Sequence, residues 1–132
     1  MPDRVLVDTS AWVDFFRNPR SPVGEILSSL LRHNQACYTG LIAVELYRGA
    51  KGQTELESLD ELLETIQHLP VPDSLYRKAG QLCYRLARKG ITAGTVDAMI
   101  ATVAVEYHCH LLTLDRHFEE IEPHCHIKLV SV

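Results

Sequence analysis

A chain of 132 residues with 46% hydrophobic and 23% charged side chains has the balance of a globular domain and the length to bury a core, which excludes a disordered segment. Its formal net charge of −4 argues against a general nucleic-acid binder. Its apolar runs fall short of the roughly 18 residues that a membrane span needs. The N-terminus "MPDRVLVDTS" places charge before a very short apolar run and offers no small-residue cleavage site, so we expect no signal peptide and a cytoplasmic protein. The four cysteines, Cys37, Cys83, Cys109 and Cys125, are widely spaced and read as reduced, mostly buried thiols.

Along the chain, short apolar and β-branched runs alternate with longer helical patterns. "RVLV" (4–7) predicts a first strand, and "SAWVDFFRN" a helix with Trp12, Phe15 and Phe16 at i, i+3, i+4 spacing, expected in the core. "SPVGEILSSLLRHN" offers Ser21 as N-cap and Pro22 at the first helical position. A strand "ACYT" (36–39) precedes "GLIAVELYRGA", whose apolar residues on nearly every side predict a buried helix. "TELESLDELLETIQ" puts Leu56, Leu59, Leu62, Leu63 and Ile66 on one stripe, and "HLPV" (68–71) follows as a strand. "DSLYRKAGQLCYRLARKG" repeats the pattern with Leu75, Ala79, Leu82, Cys83 and Leu86, and Gly90 is its natural stop. "GTVDAMIATVAVEYH" is a further helix, and "HLLTL" (110–114) and "HIKLVSV" (126–132) close the series as strands. Strands without strict alternation, separated by helices, predict one α/β domain over residues 1–132 with a parallel sheet covered on both faces.

In such a sheet the functional crevice lies beyond the carboxyl ends of the strands. Asp8 ends the first strand and Asp115 ends "HLLTLD". Two further acids stand in apolar company. Glu45 is flanked by Val44 and Leu46, and burying an unpaired carboxylate is expensive. Asp97 is followed by Ala98, Met99 and Ile100. Bland roles exist for two of them: Asp8 as a turn-and-cap residue, and Asp97 as a first-turn acid behind a Thr95 cap. If all four meet, the physics is demanding. Two carboxylates about 4 Å apart repel by roughly 4 kcal/mol at an effective dielectric near 20. A cation must then neutralise them, and oxygen ligands without His or Cys select a hard ion, Mg²⁺ or Mn²⁺. Such a site suits phosphodiester hydrolysis.

The segments "VLVDTSAWVDFF", "IAVELYRGA", "TVDAMIATVAVEY" and "LLTLDRHFEEI", in this order and over nearly the whole chain, make the sequence similar to the PIN-domain nucleases, in particular VapC-type toxins of toxin–antitoxin modules. The resemblance implies a three-layer α/β/α fold with a five-stranded parallel sheet. It implies Asp8, Glu45, Asp97 and Asp115 as the catalytic, metal-holding quartet, with Ser10 and Thr113 as supporting hydroxyls. It further implies Mg²⁺ as cofactor, with Mn²⁺ able to substitute. The reaction would be endoribonuclease cleavage of RNA to 5′-phosphate and 3′-hydroxyl ends. The partners would be a VapB-type antitoxin, whose basic side chain can enter the acidic pocket, and a second copy in a homodimer. Where many relatives carry a further acid two residues after the last quartet member, this chain has His117.

Four arginines near the quartet segments, Arg17, Arg20, Arg48 and Arg116, are candidates for gripping the RNA backbone, against a plain reading as solvated surface. The acids from Glu55 to Glu64 and the bases from Arg77 to Lys89 read as two solvated helix faces that can pair with each other; the sharper reading makes the second a phosphate-facing patch. "HCH" occurs twice, at His108-Cys109-His110 and His124-Cys125-His126; zinc is one reading, and surface histidines beside core cysteines the favoured one. Two other functional classes compete. A catalytically silent PIN-like module would bind RNA or a partner without turnover. A phospho-aspartate enzyme or receiver domain would want acids that "DTS" lacks.

Overall fold

A computed structural model describes residues 3–132; the first two residues of "MPDRVLVDTS" lie outside that range. In chain order the elements are β1 (Val5–Val7), α1 (Thr9–Arg17), α2 (Pro22–Arg32), β2 (Ala36–Tyr38), α3 (Gly40–Arg48), α4 (Gln53–Glu64), β3 (Gln67–His68), α5 (Asp73–Arg88), α6 (Thr95–Glu106), β4 (His110–Leu112), α7 (His117–Cys125) and β5 (Lys128–Leu129). The five strands form one parallel sheet in the order β3-β2-β1-β4-β5. From β1 the chain winds outward through β2 to β3, and from β4 it winds outward to β5. The winding therefore reverses between β1 and β4, and a crevice opens at the carboxyl ends of those two strands.

The central strand explains why alternation was missing from the sequence. Val5, Leu6 and Val7 are all fully buried, because helices cover both sheet faces. On one side α1 packs against α2 and α3, and α3 against α4; on the other α5, α6 and α7 pack together. Helix α6 is buried without interruption from Ala98 to Ala104, and the Thr102 hydroxyl survives there by donating to the Ala98 carbonyl at 2.7 Å.

Local signals set the element ends. Ser21 Oγ accepts from the Gly24 N–H at 2.9 Å and donates to Asp14 Oδ2, so α2 starts where its cap residue stands. Gly90, at φ 77°, ends α5 with paired bonds, Gly90 N–H to the Ala87 carbonyl and Ile91 N–H to the Leu86 carbonyl, the Schellman arrangement. The strands are shorter than their sequence patterns. Thr39 leaves β2 to cap α3 through the Leu41 N–H at 3.1 Å, and residues 126 and 127 precede β5.

One element went unread and three expectations need correction. Helix α7 was not legible, since "HFEEIEPHC" holds Pro123 in its last turn. Gly94, not Thr95, is the N-cap residue of α6, and Thr95 is its first helical residue. Phe16 is 47% exposed, whereas Trp12 is fully buried and Phe15 partly so, because the helix turns its third ring toward a surface groove. The acidic face of α4 and the basic face of α5 do not pair; they belong to helices packed against different neighbours, and the ion pair that α5 makes among the described residues is Lys78 to Glu106 on α6.

The HCH stretches have a structural explanation. His108 (φ 56°) follows the end of α6 and His126 (φ 64°) caps α7, both in the left-handed conformation that stops a helix. Cys109 is buried and Cys125 half-buried, and all four cysteines are free. Cys37 Sγ donates to Gln67 Oε1 at 3.7 Å and Cys109 Sγ to the Tyr107 carbonyl at 3.7 Å, and the influence of each thiol on the other pushes Cys37 up and draws Cys109 down.

Candidate active site

Each carboxylate arrives from a different element at the crevice between β1 and β4. Asp8 follows β1, and its N–H donates to the Leu112 carbonyl at 2.9 Å, continuing the ladder one step beyond the Val7–Leu112 pair. That register sets Asp8 beside Thr113. Asp8 occupies the N-cap position of α1, yet its carboxylate makes no capping bond; its backbone carbonyl alone accepts from the Ala11 and Trp12 N–H groups. The carboxylate is instead held from the side. Ser10 Oγ donates to Asp8 Oδ2 at 2.9 Å and Thr113 Oγ1 donates to the same oxygen at 2.8 Å. The two hydroxyl oxygens lie 3.2 Å apart, but both protons are committed to Asp8, so each oxygen uses its lone pairs elsewhere. Ser10 Oγ accepts from the Leu114 N–H at 2.9 Å and Thr113 Oγ1 from the Asp115 N–H at 3.0 Å. The loop carrying Asp115 is thereby tied to Asp8 through two hydroxyls. Among the described residues Asp8 is the one buried carboxylate, at 6% exposure.

Glu45 reaches the site from α3. The expectation that it is buried is overturned: α3 presents Glu45 and Val44 to solvent and buries Ile42 and Leu46. Its partner is Thr9, whose Oγ1 donates to Glu45 Oε1 at 2.8 Å. Sequence reasoning missed Thr9 as a site residue; the signal was the doubling of hydroxyls in "DTS", one for each of two carboxylates.

Asp97 stands in the first turn of α6, half-buried. The helix dipole there favours its charged form. Burial outweighs it and, with the charges of Asp115, Asp8 and Glu45, raises the Asp97 carboxyl above the ordinary range, while His117 pulls the other way. All four acids thus act within one electrostatic field. Asp115 Oδ1 accepts from the His117 N–H at 2.9 Å and lies 3.1 Å from His117 Nδ1. Ligand atoms of Asp97, Asp115 and His117 lie within 4.8 Å of one another, a donor set able to hold a divalent cation. The reading of an oxygen-only group is therefore incomplete, since an imidazole stands among the carboxylates.

The four arginines are all exposed, and none makes an ion pair among the described residues. Arg17 ends α1 and Arg48 ends α3; Arg116 precedes α7, next to Asp115; Arg20 lies between α1 and α2. Arg17 also lines a groove of ≈ 370 Å³ between α1, α3 and α4 with Glu45, Phe16, Leu46 and Leu59. Neither HCH stretch contributes to a metal-competent group among the described residues.

A five-stranded parallel sheet with carboxylates gathered where its winding reverses defines a class, and the comparisons agree with it. The chain belongs to the PIN-domain family, whose model matches residues 5–122. It is 31% identical over 121 residues to "Ribonuclease VapC11" of Mycobacterium tuberculosis, covering 89% of this chain and 90% of that protein. Its fold is similar to that in the crystal structure of VapBC2 from Rickettsia felis bound to a promoter DNA fragment, with a TM-score of 0.80 at 20% identity over 97% of this chain and 98% of the other. It is also similar to VapBC-5 of Mycobacterium tuberculosis, a member of the VapBC family of toxin–antitoxin systems, with a TM-score of 0.68 at 22% identity over 99% and 100% of the two chains. No helix among the described residues is long and apolar enough to cross a membrane.

Proposed function

We propose that this chain is a metal-dependent endoribonuclease and the toxin of a VapBC-type module, cutting RNA to 5′-phosphate and 3′-hydroxyl ends. What supports this reading is the gathering of acids at the β1–β4 crevice: Thr113 bonds both Asp8 and the Asp115 N–H, ligand atoms of Asp97 and Asp115 lie within 4.8 Å, and Thr9 beside Asp8 bonds Glu45. The ribonuclease relative and the toxin–antitoxin neighbours support it. Residues 1–132 act as a single domain in the cytoplasm.

The four carboxylates would hold Mg²⁺ or, in its place, Mn²⁺. When bound, such an ion supplies Lewis acidity at the phosphodiester and lowers the pKa of water. The chain's own residues do the rest. Ser10 and Thr113 keep the Asp8 carboxylate in one orientation by filling Oδ2, so that Oδ1 faces a ligand. Thr9 holds Glu45 toward the site. Burial and the charges of Asp115 and Asp8 raise the Asp97 carboxyl, and a bound cation would favour its charged form. Exposed Arg17, Arg20, Arg48 and Arg116 are placed around the site's helices to grip RNA phosphates, and Arg116 does so nearest to Asp115.

The antitoxin lies in the groove that ends on Glu45. Its apolar side chains cover Phe16, Leu46 and Leu59, and a basic side chain enters the acidic pocket, which silences the enzyme. A homodimer and a hetero-oligomer with the antitoxin complete the assembly.

The test is cleavage of several structured RNAs by the antitoxin-free chain with Mg²⁺, with Mn²⁺ and with EDTA, beside Asp97→Asn. The reading requires metal-dependent cleavage that the variant loses. No cleavage of any RNA, with no Mn²⁺ binding, would leave the silent binding module in its place.

A further inference from the structure

We propose that His117 is a direct metal ligand: its imidazole joins Asp97 and Asp115 on one divalent ion, and the added nitrogen tilts the site from Mg²⁺ toward Mn²⁺. The proposal rests on the metal-dependent reading above and assigns to this chain a ligand other than the acids of that reading.

The geometry has three parts. Ligand atoms of Asp97, Asp115 and His117 lie within 4.8 Å of one another, and no other trio of His, Cys, Asp or Glu among the described residues does so. In an octahedron with bonds of about 2.1 Å, adjacent ligand atoms are about 3 Å apart and opposite ones about 4.2 Å. His117 Nδ1 and Asp115 Oδ1, at 3.1 Å, already stand at the spacing of adjacent corners. The 4.8 Å bound on the trio exceeds the spacing of opposite corners by about 0.6 Å, within the reach of one side-chain rotation. His117 is also fixed at its base, as the first residue of α7 with its N–H donating to Asp115 Oδ1.

Exposure separates this residue from a structural histidine. The His117 side chain is 73% exposed and bonds to no residue but Asp115 among those described. At that exposure it can turn toward an ion without breaking a core contact. Chemistry then sets the preference. Mg²⁺ demands oxygen ligands, whereas Mn²⁺ is softer and accepts imidazole more readily beside carboxylates. A neutral ligand also adds no repulsion to a site that already gathers four acids.

A rival role would have His117 orient Asp115 from outside the coordination sphere. Pulsed EPR of Mn²⁺ bound to the full-length chain distinguishes the two. We expect a directly coupled ¹⁴N in the wild-type spectrum that is lost in His117→Ala. By titration calorimetry, His117→Ala should bind Mn²⁺ on the order of tenfold more weakly or worse, since loss of an outer-shell partner alone costs about that much. His117→Asp should recover affinity without a nitrogen coupling and reduce the ratio of Mn²⁺ to Mg²⁺ affinity. Circular dichroism of each variant checks that the fold is retained. Tight Mn²⁺ binding with an oxygen-only wild-type spectrum, or a coupling that survives His117→Ala, overturns the proposal and leaves the metal site standing. No binding of Mn²⁺ or Mg²⁺ at all overturns the metal-dependent reading, and His117 with it.

Discussion

Asp8 is the acid that this chain takes almost wholly out of water, at 6% exposure, and two hydroxyl donors on one oxygen offset the cost of its burial. A bond to a charged group contributes about 1.5–3 kcal/mol. Thr113→Val keeps the shape and removes the donor to Asp8 together with the acceptor for the Asp115 N–H. We therefore expect it to lower stability by about 1.5–3 kcal/mol in urea titration at neutral pH. An unchanged midpoint would show that Ser10 alone suffices. Asp97 makes the opposite case. Burial and its acidic neighbours raise its pKa, so the folded protein binds more protons than the unfolded chain across the window between the two values. Stability contributed by protonated Asp97 is present below that window and is lost as pH rises through it. Asp97→Asn should then melt at higher temperature than the wild type at neutral pH in EDTA, and the two should converge in acid. Equal melting at both pH values would mean that Asp97 is not strained by its neighbours.

At the scale of elements, close approach rather than propensity decides how α1 and α2 meet. A Cβ built on Gly24 would stand 2.6 Å from the Pro19 carbonyl oxygen and 2.7 Å from that of Asn18, both backbone atoms that cannot step aside. The first turn of α2 therefore packs directly on the 18–19 turn, and the Ser21 bond to Asp14 ties that turn to α1. Gly24→Ala should cost about 1–3 kcal/mol by overpacking, read as a lowered denaturation midpoint with circular dichroism of the native state unchanged. A neutral result would require the connection between α1 and α2 to be slack. Helix α3 shows a different compromise. It buries Ile42 and Leu46, and it leaves Val44 65% exposed so that Glu45, next to it, can reach the site.

For the whole molecule, function depends on bringing together residues spread from Asp8 to Asp115. Parallel pairing of β1 with β4 places the first and last of them side by side, and the crossover connections that parallel strands require carry α3 and α6. An ion that binds this assembled group and not the unfolded chain must stabilise the fold. At a hundred times its dissociation constant the gain is about 2.7 kcal/mol. Thermal melts should therefore rise with Mn²⁺ in the wild type and rise by less in Asp8→Asn, where Asp97, Asp115 and His117 remain without the buried anchor. A matching rise in the variant would place the ion elsewhere.

Much of this was readable before any coordinates. The uninterrupted apolar "VLV", the capping Ser21, the stop at Gly90 and the stripes of α4 and α5 are local signals, written within a few residues of where they act. Asp8 and Asp115 stood out as carboxylates at strand ends, where a parallel sheet opens its crevice, and Glu45 and Asp97 as charges in apolar company. What the sequence by itself determined was therefore the set of elements, apart from Pro-bearing α7, and the short list of acids. Only the tertiary structure decided who meets whom. That Glu45 is exposed and bonded by Thr9, that Ser10 and Thr113 share one oxygen of Asp8, and that His117 stands within reach of Asp97 depend on strand order and register. Those contacts join residues tens of positions apart, and no periodicity along a chain records a distance across it.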